Sequence, residues 1–396
     1  MNFNLENWCF DLFHPLIIVA MVILFLLIAS PMWYFYGRLP APNLDLYLYI
    51  GLGLLFFILG IFAGDYIAFN NFKFIKYSNT SIDRFPNDSF PEKILNKMSN
   101  PQRLSLFDSY SKDEMIIVGF VSLGILLQII NIVSLGGIPL FSAALKAKAA
   151  TKIWLLSYIV FLPSINILLA KYNRKSHYAL LLIGLILFAL TGYRTTPIAI
   201  MLSSLITLYY TRDVDLKYIA LAILAIGIVL LAVGFIAVQA ISWQHWSLNP
   251  IELVSYRAAF TLNILSNAIE NQCVTMGSLF YATLTGFFTH TDPRVLVGIA
   301  TINRNHSITS TIFGPALLDF GILGMTVQMF LLGVVLKALH SLQIYKKSIF
   351  SAFYGILLAQ TIIWIETGPT DVVVWIFYLI SIFIIIKSLR GMDHGT

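Results

Sequence analysis

The sequence predicts an all-α membrane protein of about ten transmembrane helices, and three observations carry that prediction. Apolar runs of membrane-spanning length recur from one end of the chain to the other. Only 11 % of the residues are charged, against roughly 25 % in ordinary soluble domains. The basic residues also divide unevenly, about two to one, between the two sides that the alternating runs define. In hydrocarbon the backbone must satisfy its own hydrogen bonds, and runs of this length do so as helices.

In order, span 1 covers residues 15–36 and closes on the aromatic cluster Trp33-Tyr34-Phe35-Tyr36, which marks an interface. Span 2 covers 46–69. Residues 70–114 follow, with charges of both signs and Pro86, Pro91 and Pro101, and are expected to form a cytoplasmic loop with short helices. Span 3, 115–135, ends at Gly136-Gly-Ile-Pro-Leu-Phe141, and the short basic segment 142–152 leads into span 4, 153–170. A basic turn, 171–177, precedes span 5, 178–191. Gly192-Tyr-Arg-Thr-Thr196 then turns directly into span 6, 197–210. Span 7 covers 217–240. The outer loop 241–313 contains an apolar stretch, 274–288, too short to cross and expected to be interfacial or re-entrant. Spans 8, 9 and 10 cover 315–339, 349–365 and 372–386. The whole chain, 1–396, reads as one integral membrane domain with both termini cytoplasmic and its large outer loop between spans 7 and 8.

The net charge of +6 reports orientation before it reports ligands, so the bilayer is the expected partner and nucleic acid is not. Cys9 and Cys273 fall on opposite sides, so no disulfide framework is implied. Residues 1–14 have no basic region of the kind that opens a cleaved signal, and no internal repeat is evident.

Function is sought among the basic residues that fall outside against the trend: Arg38, Lys146, Lys148, Lys152, Arg194, Arg257, Arg294 and Arg304. Any one of them read alone is as easily a solvated loop charge. Arginine, however, matches phosphate oxygens with two parallel donors and stays charged when desolvated. A phosphate or diphosphate lipid head is the oxygen-rich partner a membrane face offers. Lys146, Lys148 and Lys152 lie in one short stretch, the last two on one face if it is helical, and the stretch fits either a surface helix on anionic lipid or a second phosphate contact. Spans running inward begin near Pro42, Pro197, Pro315 and Pro369, so several positive helix ends face the same leaflet.

The candidate bases lie in Ile302–Gly324, INRNHSITSTIFGPALLDFGILG. His306 follows Arg304 by two residues, and Asp319 sits one turn inside span 8, where an ionisable group is costly. Helix packing or capping is the competing role for Asp319. Glu366 and Asp371 flank the last outer turn and either face the same cavity, as substrate contacts, or are simply solvated, and Glu252, Glu270, His245 and His290 are weaker candidates. No phosphate-cradling Gly-rich loop, HExxH, paired CxxC or GxSxG is present, and nothing in the sequence calls for a metal or cofactor.

On GGIPLF and RNHSITSTIFGPALLDFGILG the chain resembles the oligosaccharide repeat-unit polymerases, the O-antigen-type polymerases of prokaryotic surface glycans, and more distantly the O-antigen ligases. The resemblance covers most of the chain in layout. It implies a multi-pass plasma-membrane glycosyltransferase with its active site outside. Donor and acceptor would both be polyprenyl-diphosphate-linked oligosaccharides, and a flippase or chain-length regulator would be a partner. His306 maps onto the catalytic His of the ligases, Asp319 onto an acidic family position, and Arg194, Arg257, Arg294 and Arg304 onto diphosphate-binding arginines. The sequence departs from the family in one spacing: Gly314 follows Arg304 by ten residues, where a spacing of eleven is described. Ligase-like transfer to another acceptor, and a polytopic transporter of an anionic or lipid-linked substrate, remain the alternatives.

Overall fold

The computed structural model describes residues 11–78, 111–172, 174–212, 214–239, 249–289, 291–345 and 348–393. Every regular element among them is helical. In chain order the α-helices are α1 Ile17–Tyr34, α2 Leu44–Ser78, α3 Lys112–Ser134, α4 Ala143–Lys148, α5 Lys152–Lys171, α6 Lys175–Ala189 and α7 Thr195–Thr211. They continue as α8 Leu216–Gln239, α9 Pro250–Glu270, α10 Ser278–Thr289, α11 Pro293–Ile302, α12 Gly314–Tyr345, α13 Ile349–Thr367 and α14 Val372–Asp393. A 3-10 turn, Pro139–Phe141, precedes α4.

A helix occupies each of the ten segments expected to span. Among the described residues six of these helices, α1, α2, α3, α5, α12 and α13, are long and apolar enough to cross a bilayer. Their outward faces carry large apolar side chains such as Leu27, Phe62, Leu126 and Leu331, all more than half exposed. Water would oppose so much apolar surface, whereas lipid accepts it.

Two expected loops are more ordered than polarity suggested. Helix α2 continues past residue 69 to Ser78, because that stretch holds no glycine or proline to stop it. Residues 79–110 of the same loop, with Cys9, His245 and His290, lie outside the described residues. The expected outer loop contains α9, α10 and α11. Asn249 and Glu252 form a capping box at the start of α9, with Pro250 in its first turn. Asp292 and Pro293 open α11, and left-handed Asn303 closes it.

Small residues set the closest helix pair. Gly60 and Gly64 of α2 lie against the backbone of Phe330 and Val334 in α12; a Cβ on Gly60 would stand 2.1 Å from the Phe330 carbonyl oxygen. Buried polar side chains add cross-links. Asn166 of α5 bonds Ser203 and Thr207 of α7, and Gln360 of α13 bonds Tyr158 of α5. Such bonds contribute about 0.6 kcal/mol each within a bilayer.

The bundle has two polar ends. Arg194 opens α7 and Tyr210 nearly closes it, about 24 Å apart along the helix axis. Tyr354 lies near the start of α13 and Glu366 near its end. Arg194 and Glu366 thus share one end of the bundle, and Tyr210 and Tyr354 the other.

Candidate functional site at the arginine end

The site is built on the turn between α13 and α14. Gly368, at φ 72°, lets the chain reverse against the 310–311 backbone, where a Cβ would lie 2.7 Å from the Ser310 carbonyl oxygen. Glu366 and Asp371 flank that reversal. Three arginines from three separate segments converge on them. Arg194, at the α6–α7 turn, and Arg257, in α9, both donate to Glu366 Oε1, the second at 3.1 Å. Arg294, in the first turn of α11, donates from Nη2 to Asp371 Oδ1 at 2.6 Å and from Nε to Thr370 Oγ1 at 3.3 Å. Five of the residues expected to bind substrate are therefore one cluster. Arg257 keeps 43 % of its side chain exposed, so the cluster opens to the surface.

A further member of the outward basic set, Lys146, joins the cluster. Lys146 is half-buried, and its ammonium is pushed below the ordinary lysine value by burial and then by the charges of Arg194 and Arg257. Burial likewise pulls the Arg194 guanidinium down, with Glu366 opposing it. Asp371 raises Arg294 against the cost of its burial. Lys148 and Lys152, the expected lysines, are exposed, and no side-chain partner holds them among the described residues. The three lysines lie close in sequence, and only the backbone geometry of residues 136–146 selects the one that turns inward.

Arg304 and His306 lie on the segment that folds back along α11. The Ile308 amide donates to the Arg294 carbonyl at 3.1 Å. The Arg304 and His306 carbonyls pass so close to Gly298 that a Cβ there would stand 2.8 and 2.4 Å from them. Both residues are exposed, and among the described residues no side-chain partner occupies them. His306 thus belongs to the same compact unit as Arg294, with its ring open to an incoming group.

Asp319 is placed differently. Its carboxylate is 4 % exposed and accepts from Thr275 Oγ1 at 2.6 Å, the Leu279 amide at 3.1 Å and the Phe280 amide at 2.6 Å. It caps the N-terminus of α10, a helix far away in sequence. Helix α12 breaks at Gly321, where φ is 64° and ψ −157°. The break frees the Leu317 and Leu318 carbonyls, which accept from the Cys273 and Thr275 amides. A side chain at Gly321 would meet Cys273 Sγ at 2.8 Å. The Asp-Phe-Gly of 319–321 is therefore a joint that docks the 271–289 segment onto a membrane helix. No hydrogen bond or ion pair joins Asp319 to His306 among the described residues.

Docked in this way, α10 forms one wall of an apolar groove of about 610 Å³ that runs between α12 and α14. Phe280, Phe320 and Trp375 line it near the arginine end, and Val335 and Ile382 line it further along. Pro369, inside the turn that holds the arginines, lies at its edge. Among the described residues no three His, Cys, Asp or Glu side chains converge to hold a metal ion.

Two proteins of Methanocaldococcus jannaschii, both named only as uncharacterized, are similar to this chain. One is 29 % identical over 290 residues, 73 % of this chain and 70 % of its own length. The other is 27 % identical over 277 residues, 67 % of this chain and 76 % of its own length. No solved structure matches the chain. The family described as "Putative O-antigen polymerase" matches residues 11–378, which include every residue of the arginine cluster and most of the groove, and the chain belongs to that O-antigen polymerase family.

Proposed function

We propose that this chain is a membrane glycosyltransferase that joins oligosaccharide repeat units carried on a polyprenyl diphosphate, working at the outer face of the membrane. The observation that carries this reading is the convergence of Arg194, Arg257 and Arg294 on one turn beside a long apolar groove. Guanidinium groups suit a diphosphate, and an apolar groove open along membrane helices suits an isoprenoid chain. The outward placement rests on the asymmetry of basic residues along the sequence.

In the reaction the bond between the donor's anomeric carbon and the diphosphate oxygen breaks, and its electron pair goes to the diphosphate. The acceptor hydroxyl oxygen bonds to that carbon and gives its proton to a base. One displacement inverts the anomeric centre. The arginines stabilise the charge that grows on the leaving diphosphate. His306 supplies the base, because its ring is exposed and uncommitted, and Arg304 beside it contacts the substrate. Asp319 serves the reaction by holding α10 as the groove wall, since releasing its carboxylate would uncap that helix. Lys148 and Lys152 meet anionic head groups around the entrance. A flippase delivers the donor to this face.

Transport is the reading of a different class, and a broken helix often holds a transporter's ion. Here the carbonyls freed at Gly321 are already bonded by the 273–275 amides, and the charges gather at the bundle end. The test is to delete the gene in its host, restore it with wild type or Arg194→Met, and size the lipid-linked glycans. Single repeats left on the carrier in the deletion and the variant are expected. Long glycan that stays on the carrier untransferred would identify a ligase, and unchanged glycan lengths would overturn the reading.

A further inference from the structure

We infer that Lys146, held against the Arg194 turn by the Gly136–Phe141 segment, is the cation that makes this cluster select a diphosphate over a single phosphate. The inference rests on the reading of the cluster as a lipid-diphosphate site.

Charge gives the first argument. Lys146 stands near Arg194 and Arg257, and both arginines direct a donor at the same oxygen of Glu366, so three cations gather about one acid. Arg294 is met by Asp371, with Asp292 adding a second acid near it. The excess of two positive charges therefore lies beside Glu366 and not beside Asp371. A diphosphate esterified at both ends carries two negative charges, one on each phosphoryl group. Lys146 is the member of the trio without a hydrogen-bond or ion-pair partner for its side chain among the described residues. A half-buried ammonium beside two guanidinium groups is unfavourable until an anion arrives.

Construction gives the second argument. Gly136, at φ 72°, turns the chain out of α3, and the buried Leu140 donates its amide to the Leu190 carbonyl at 2.9 Å. Ser142 then caps α4, which carries Lys146. Tyr193 Oη donates to the Lys146 carbonyl at 3.0 Å. Gly192 closes the contact: a Cβ there would stand 3.3 Å from Leu140 Cα and 3.4 Å from Lys146 Cδ. The GGIPLF segment, which has no chemistry of its own, thereby fixes one lysine next to Arg194. Lys148 and Lys152 of the same stretch stay exposed. Bilayer head groups are within reach of those two, while Lys146 faces the cluster.

The test uses the full chain in detergent, with binding of geranyl diphosphate, inorganic pyrophosphate and inorganic phosphate measured separately. Wild type is compared with Lys146→Met, Lys146→Arg and the exposed control Arg38→Met, each with its thermal midpoint recorded. Lys146→Met should weaken both diphosphates about tenfold and phosphate much less, a loss equivalent to about 1.4 kcal/mol. Lys146→Arg should restore most of it, and Arg38→Met should match wild type. Equal weakening of phosphate and diphosphates would overturn the selectivity. Unchanged diphosphate binding in Lys146→Met would overturn the inference and leave the lipid-diphosphate reading standing. A wild type that binds no diphosphate would overturn both. Anionic phospholipid vesicles that compete as well as geranyl diphosphate would assign the cluster to bilayer head groups and overturn it too.

Discussion

The two ends of the helical bundle gather charge in opposite ways. At the tyrosine end the charges that lie between helices are matched to one another. Asp11 accepts from Tyr210 at 2.8 and 2.9 Å and lies 2.7 Å from His340 Nε2. Lys337 pairs with Asp65 at 3.3 Å, and Tyr354 donates to the Phe13 carbonyl. On the same side Glu114, 1 % exposed, is matched by Arg174 at 2.7 Å and His177 at 3.2 Å. At the arginine end Arg194 and Arg257 share Glu366, Lys146 stands near both arginines, and Arg257 is open to the surface. A balanced and closed set fastens helices together; here it pins residues 11–14 between α7, α12 and α13. A set with excess charge and an opening leaves room for an anion. On the proposed function, the difference divides structural from functional polarity, which residue type alone does not.

The largest expected effect tests that separation directly. Arg194→Met should lower polymer formation by about a hundredfold or more, the usual cost of removing one charge-stabilising donor. Its thermal midpoint should move little, because Arg257 still holds Glu366. Polymerisation that persists near the wild-type rate would erase the distinction. Asp11→Ala is the reciprocal case. It removes four hydrogen-bond contacts at the tyrosine end and should cost about 2 kcal/mol of stability. Activity per folded molecule should be retained, measured by unfolding in detergent alongside glycan sizing.

A third substitution divides positioning from proton transfer. Asp319→Ala should cost about 1 kcal/mol through the lost cap and speed hydrogen exchange in α10, with activity falling as the groove wall loosens. Asp319→Asn keeps an acceptor oxygen and should retain more activity than Asp319→Ala. If Asp319 were the base instead, Asn would abolish the reaction while exchange in α10 stayed slow.

These expectations also show what the sequence could and could not reveal. The all-helical, membrane-type character was legible, and Arg194, Arg257, Arg294, Glu366 and Asp371 could be picked out as candidates, because apolar runs and rare charges stand out in such a chain. Their pairing was not, since it depends on α9, α11 and the 366–371 turn meeting in space. The helices within 241–313 were partly legible, for Asn249-Pro-Ile-Glu252 and Asp292-Pro293 are ordinary helix starts. Asp319 was legible as an ionisable residue in a span, but its partner was not: it caps a helix that begins some forty residues earlier in the chain, at Ser278. Which of Lys146, Lys148 and Lys152 turns inward was hidden, because the direction of a lysine on a short helix is set by Gly136 and Gly192.

Acid supplies the smallest effect and a way to address the tyrosine end alone. Burial lowers the His14 imidazole to about 4, and the positive charges of His340 and Lys337 add to it against Asp11 and Asp65. Between pH 6.5 and 4 the unfolded chain therefore takes up a proton at His14 that the folded chain refuses, so stability falls as pH drops through that window. Asp11 acts lower down. Burial opposes its ionisation, but His340 and Tyr210 more than compensate, so its carboxyl sits below the ordinary aspartate value of 3.8. Its contribution is intact above that value and is lost as pH falls through the folded one. The guanidinium groups at the other end stay charged throughout. Thermal midpoints recorded from pH 7 to 4 should fall for wild type and fall less steeply for His14→Gln, which removes the titrating ring. His14 is half-buried, and solvent screening keeps the difference small. A slope that Arg294→Met flattens and His14→Gln leaves unchanged would place the acid-sensitive charges at the arginine end and reverse the contrast between the two.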